Sequence, residues 1–267
     1  MSGAVYIPTL ARHELLKKTV PRWIEQRIPI RLVVRSDQFR SHVVLRDRMG
    51  WDGVTVINLP RGTFGFGAIR NFIIWHADVK RHRSIIICDD DLRPAAGSDF
   101  RLLLAEAARK GVLGVGAVRS IHDRFTGGAI SRLSGPILCP GGWGFQCFAI
   151  NVRQAIKLGN FDPELHTHGD DAELAREGIA HGIPWRVHCD VWTEAVAVRY
   201  APGGIAALYP SREARGEAER ENMALIHSRW PAYTNHPDKR VRTAWQKMLD
   251  DYIPDWRERS ALHGGSL

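Results

Sequence analysis

The first 118 residues switch repeatedly between strand-like and helix-like apolar spacing, and few folds accommodate that alternation. AVYIPTL reads as a short strand. ARHELLKKTVPRWIEQR reads as a helix interrupted at Pro21, since proline removes a helical donor and crowds the preceding turn. IRLVVRS and GVTVINLP are the next strands. GAIRNFIIWHADVK sets Ile69, Phe72, Ile73 and Ala77 at helical spacing, and RSIIICDDD returns to a strand. FRLLLAEAARKG is a helix closed by Gly111, and VLGVGAV is a strand again. This order predicts an α/β domain with a mixed, mostly parallel sheet flanked by helices. In such sheets ligands bind beyond the carboxyl ends of the strands.

A glycine-rich basic loop, SIHDRFTGGAISRLSGP, follows. GGWGFQCFAINVRQAIKLG then reads as turn, strand and helix, HGDDAELAREGIAHG as a helix, and PWRVHCDVWTEAVAVRY as one or two strands. Residues 1–210 form the α/β domain, and residues 211–267 a helical extension packed on it, anchored by Trp230, Trp245 and Trp256. No apolar run approaches the roughly 20 residues of a membrane helix. MSGAVYIPTL lacks the basic-then-apolar order of a secretory leader. Cys88, Cys139, Cys147 and Cys189 form no CxxC pair and sit in or beside apolar runs, which predicts buried free thiols and a cytoplasmic protein.

The net charge is +8, and residues 1–140 carry 22 Lys and Arg against 12 Asp and Glu. A basic front half suits a polyanionic partner or an anionic substrate, with a solvated basic surface as the alternative.

The strand IIIC runs straight into Asp89, Asp90 and Asp91. Adjacent aspartates repel unless something positive holds them, and a hard divalent cation is the usual partner. The alternative is a helix-capping cluster, but Asp99 stands closer to the next helix and is the better cap. No GxxxxGK[ST] is present, which excludes a P-loop. The glycines of GTFGFG make a flexible entry into a helix, where Arg70 either faces the strand-end cleft and a phosphate or lies on the surface. Further on, Asp170 and Glu173 have the D-x-x-E spacing of a capping box, which leaves Asp171 without a capping role.

Asp89 and Asp91 are spaced as D-x-D, and "LGNFDPEL" and "GDDAELA" follow in order, with "IPTLAR" and "GAIRN" ahead of the aspartates. Over roughly residues 4–200 this pattern resembles the GT-A fold glycosyltransferases. The compact size, the "GAIRNFIIWHA" helix and the basic charge resemble, more narrowly, the phage glycosyltransferases associated with TET-type dioxygenases, which modify 5-hydroxymethylpyrimidines in DNA. The resemblance implies a UDP-sugar donor and Mn²⁺ or Mg²⁺ held by Asp91 with Asp89. It implies a nucleotide site at Pro8, Thr9, Arg12, Arg35 and Asp37, with Arg70, Asp89 and Asp90 toward the diphosphate. It implies inverting transfer with Asp171 as the base, beside Asp170. Trp143 is either a sugar or acceptor contact or a core residue, and Arg12 has a helix-surface alternative. A third metal ligand would come from His188, Asp190 or Glu194, with His188 more readily read as a buried core histidine. Arg119, Arg124 and Arg132 in the basic loop would contact DNA phosphates.

Two other readings compete. One is a glycosyltransferase of polysaccharide or glycoconjugate synthesis. The other is a binding module on the same scaffold, against which the presence of both Asp91 and Asp171 argues.

Overall fold

The computed structural model describes residues 3–119, 130–138, 146–165, 170–183, 185–196 and 211–229. Its elements, in chain order, are β1 (Val5–Thr9), α1 (His13–Ile24), β2 (Ile30–Val34), α2 (Phe39–Arg48), β3 (Val54–Asn58), α3 (Phe66–Val79), β4 (Ser84–Cys88) and β5 (Leu92–Pro94). Then come α4 (Arg101–Ala107), β6 (Gly114–Arg119), β7 (Pro136–Leu138), β8 (Cys147–Asn151), α5 (Val152–Lys157), α6 (Asp170–Ala180), β9 (Trp185–Ala195) and α7 (Arg212–Arg229).

All strands join one sheet in the order β3-β2-β1-β4-β8-β6-β9-β5, with β7 also paired to β9. Strands β3, β2, β1 and β4 run parallel. β8 inserts antiparallel between β4 and β6. The sheet is mixed, with a parallel half that carries the expected βα crossovers.

Both faces of the sheet are covered, which is why β4 and β8 are buried at every position. On one face, Leu16, Val20 and Trp23 of α1 and Leu103, Leu104 and Ala107 of α4 meet Val5, Ile7 and Ile86. On the other, Ile73, Ile74 and Ala77 of α3, Ala155 of α5 and Leu174 of α6 meet Tyr6, Ile85, Ile87 and Phe148. Asp99 stands just before the α4 N-cap, Phe100, and its carboxylate accepts the Arg101 backbone N–H at 3.0 Å.

Two local expectations change, and one open choice is settled. Pro21 does not break α1; the helix continues, and the Glu25 N–H donates to the Pro21 carbonyl at 3.2 Å. Burial of Thr19, Val20 and Trp23 on both sides of the proline outweighs one missing donor. The helix α2 between β2 and β3 was not foreseen, because only His42 and Leu45 are fully buried, with Phe39 and Val43 packed partly against the core. WRVHCDVWTEA is one long strand, which resolves the open choice between one and two. It stays continuous by a bulge in which Ala117 pairs with His188 and Val118 with Trp192. Of the extension, α7 is described; Trp230, Trp245 and Trp256 lie outside the described residues.

Candidate active site

The carboxyl ends of β1, β2 and β4 form one rim. At β4 the chain leaves the sheet through Asp89, whose N–H donates to the Gln146 carbonyl at 2.8 Å. The next residue, Asp90, turns inward. Its carboxylate accepts from Thr9 Oγ1 at 2.7 Å and from an Arg12 Nη at 2.8 Å. Its carbonyl accepts from Thr19 Oγ1 at 3.3 Å, and the Trp23 indole N–H donates to the Leu92 carbonyl at 3.2 Å. The middle aspartate therefore locks the end of β4 to β1 and α1.

Asp91 is held more loosely, with its Oδ2 4.0 Å from the Arg12 guanidinium. Asp91 is partly exposed, and its Oδ1 is buried with no hydrogen-bond partner among the described residues. Asp89 is pushed up to about 8, first by burial and then by repulsion from Asp91, Asp90 and Asp171, with Arg70 pulling the other way. Two like charges set side by side with an unsatisfied oxygen are an arrangement that a cation would relieve.

The second acidic pair arrives from 80 residues further on. Asp170 and Asp171 open α6 and are both buried. Arg70, on α3, reaches across: its Nη1 lies 2.8 Å from Asp170 and 3.9 Å from Asp171. The guanidinium is caged by Phe148, Phe66 and Phe161, with ring centroids 5.1, 5.4 and 5.5 Å away. This cage excludes water and strengthens each charge interaction inside it. Even so, Asp170 is raised to about 6, because burial outweighs the Arg70 attraction and Asp171 repels it.

α3 can approach this closely because of Gly67, where a Cβ would lie 1.9 Å from the Asp162 carbonyl oxygen. Asn71 fastens the same contact, giving and receiving hydrogen bonds with the Phe161 backbone at 2.7 and 2.9 Å. The G-N-F-D turn thus fixes the helix that carries Arg70.

No family model and no curated protein matches the sequence. Solved structures match in fold. GalNAc-T7, solved with UDP, GalNAc and Mn²⁺, superposes with a TM-score of 0.62 at 14% identity, over 94% of this chain. The chain spans about half (54%) of the length of that protein. The mannosyltransferase PcManGT from Pyrobaculum calidifontis, in complex with GDP-Man and Mn²⁺, gives 0.57 at 20% identity, over 99% of this chain and 76% of its own. S. aureus TarS in complex with UDP-GlcNAc gives 0.54 at 12% identity, over 95% and 81%. The chain has the GT-A fold.

On this GT-A scaffold the residues singled out in the sequence divide into three groups. Asp89, Asp91, Asp170, Asp171 and Arg70 come together. Pro8 and Thr9 end β1 beside Val33 and Val34 of β2, and Arg35 and Asp37 pair with each other at 3.0 Å on the exposed rim just after β2. The β1–α1 turn is tied to this rim by the Ala11 N–H, which donates to Gln38 at 2.8 Å, and Ala11 takes a left-handed φ of 53°. Arg12 pairs with Asp90 at 2.8 Å and lies 4.0 Å from Asp91. Arg70 is buried against Asp170, which removes its surface alternative.

The third group lies elsewhere. His188 is buried on β9 opposite Ala117, 3.8 Å from Asp190, and its pKa is lowered by burial. Asp190 accepts the Gly135 N–H at 2.8 Å, and Glu194 pairs with Arg93 at 3.0 Å. Among the described residues, no three His, Cys, Asp or Glu side chains gather as a metal site, so none of these joins Asp89 and Asp91. The pair nevertheless fits a hard divalent ion: two carboxylates at a strand end, one with an orphaned oxygen, leave the remaining positions to water and phosphate oxygens. Arg119 is half-buried at the end of β6, and Arg132 is exposed on a single 3-10 turn. Trp143 and Arg124 lie outside the described residues. The sequence missed the three-phenylalanine cage, whose members sit in separate elements; their aromatic character was the one available signal.

Proposed function

We propose that the chain is a metal-dependent glycosyltransferase that moves a sugar from a nucleotide diphosphate donor, a UDP-sugar, to a hydroxyl acceptor with inversion. The observation that carries this reading is the buried Arg70, paired with Asp170 and Asp171 and electrostatically coupled to Asp89 at the end of β4. Asp89 and Asp91 stand at the end of β4, where a diphosphate and its cation are expected in this fold. When bound there, a divalent ion supplies Lewis-acid stabilisation of the charge on the departing diphosphate. Asp89 and Asp91 hold it, and Asp90, locked by Thr9 and Arg12, keeps them in place.

Asp171 acts on the other reactant. Its carboxylate takes the proton of the acceptor hydroxyl as that oxygen bonds to the anomeric carbon. The bond from that carbon to the diphosphate breaks, and its electron pair leaves with the nucleotide. Arg70 lies 3.9 Å from the Asp171 carboxylate. Asp170, at 2.8 Å, holds that arginine in position.

For the acceptor, the finer reading is a 5-hydroxymethylpyrimidine in DNA. Its support is the basic excess of residues 1–140 and the placement of Arg119 and Arg132 at loop ends. The test is incubation with Mn²⁺, a panel of UDP-sugars, and either hydroxymethylated DNA or glycan acceptors, read by mass spectrometry of nucleosides and glycans. A glycosylated nucleoside is the expected product. Transfer to glycan alone overturns the DNA reading, and no transfer to any hydroxyl acceptor overturns the enzyme.

A further inference from the structure

The outer flank of α3 and α5 carries groups that this reaction does not use. Trp75 and Val79, one turn apart on α3, are 59% and 58% exposed, and Ile156 on α5 is 42% exposed. The two helices pack side by side, and Phe72 lies against Trp75 at 5.8 Å. The turn after α3 is joined to the start of α5, where the Val152 N–H donates to the Arg83 carbonyl at 3.2 Å. Lys80, Arg81, Arg83, Arg153 and Lys157, at the end of α3, in the turn after it and on α5, are all exposed. Asp78 is the one acidic residue within 75–83 and 152–160. Single exposed apolar side chains are ordinary, but an aromatic and aliphatic cluster on helices that carry these cations is not.

We propose that this face docks on the surface of an anionic lipid bilayer. Trp75, Val79 and Ile156 enter the headgroup boundary, and the five cations pair with lipid phosphates. Charge decides among the occupants. A second copy of the chain would set five cations against five. Duplex DNA satisfies the cations and offers Val79 and Ile156 nothing apolar. An anionic bilayer satisfies both. No helix among the described residues is long and apolar enough to cross a membrane, so the contact is peripheral. The face is separate from the candidate active site, since Arg70 points from the buried side of α3, and the inference stands independently of the reaction.

The experiment is co-sedimentation of the full chain with vesicles of phosphatidylcholine alone or mixed with phosphatidylglycerol, with duplex DNA as a competitor. Wild type is expected to bind the mixed vesicles at low salt and not the neutral ones. Trp75→Ala/Val79→Ser and Lys80→Glu/Arg81→Glu should each bind at least about tenfold more weakly, with unchanged melting temperatures because these side chains are exposed. Absence of vesicle binding overturns the proposal. So does undiminished binding by Trp75→Ala/Val79→Ser, which would make the face a general phosphate-seeking surface that DNA also occupies. A lipid-free dimer dissolved by that variant assigns the face to a second copy and overturns it as well.

Discussion

Arg70 is one cation among three buried or half-buried carboxylates, and removing it leaves them facing each other. Breaking a buried pair by deleting one partner costs about 3–5 kcal/mol, so Arg70→Met should lose stability of that order at about pH 8.5, where Asp89 and Asp170 are ionised. The loss should shrink at about pH 5. By then Asp89, at about 8, and Asp170, at about 6, hold protons and need no counter-charge. Urea unfolding at both pH values checks this; an equal loss at both contradicts it. The same shifts predict how a metal acts. Because the folded-state values are raised, the folded protein binds more protons than the unfolded one between about pH 4 and pH 8. Its stability is therefore greatest at the low end and falls as pH rises through that window. A cation needs the ionised carboxylates, so the melting-temperature gain from Mn²⁺ should be larger at about pH 8.5 than at about pH 6. A gain independent of pH would contradict the assignment of Asp89. Asp89 to Asp91 were legible in the sequence because three charges ending a buried strand demand a partner. The Arg70–Asp170 pair was not, because its members are 100 residues apart and no spacing rule connects them.

At the scale of elements, the site depends on how closely α3 approaches the turn after α5. Gly67→Ala would place a Cβ 1.9 Å from the rigid Asp162 backbone, so the helix must shift. Overpacking of this kind costs about 1–3 kcal/mol, and displacement of Arg70 should reduce transfer further than the stability loss alone explains. Activity measured well below the melting temperature separates the two; full activity there would show that the α3 approach does not set the site. The strands and α3 were legible because their apolar spacing is regular. α2 was not, with two fully buried residues, and the three-residue β5 carries too little pattern to register. β9 was ambiguous because its bulge at residues 189–191 breaks the pairing without ending the strand.

At the scale of the molecule, the alternation of strands and helices was sufficient for the fold, and the strand-end rule pointed to Asp89–Asp91 as the proposed donor side. What the sequence could not supply was the closure of the sheet by β8, which brings α6 and its acidic pair back over β4. The proposed reaction uses Asp91 on the donor and Asp171 on the acceptor. Calorimetric titration of UDP in the presence of Mn²⁺ tests it most directly, with transfer assayed in parallel. Wild type and Asp171→Asn should bind with the same affinity although Asp171→Asn transfers nothing, and Asp91→Asn or EDTA should abolish the Mn²⁺-dependent binding. Undiminished UDP binding in EDTA and in Asp91→Asn, or unimpaired transfer by Asp171→Asn, would contradict it.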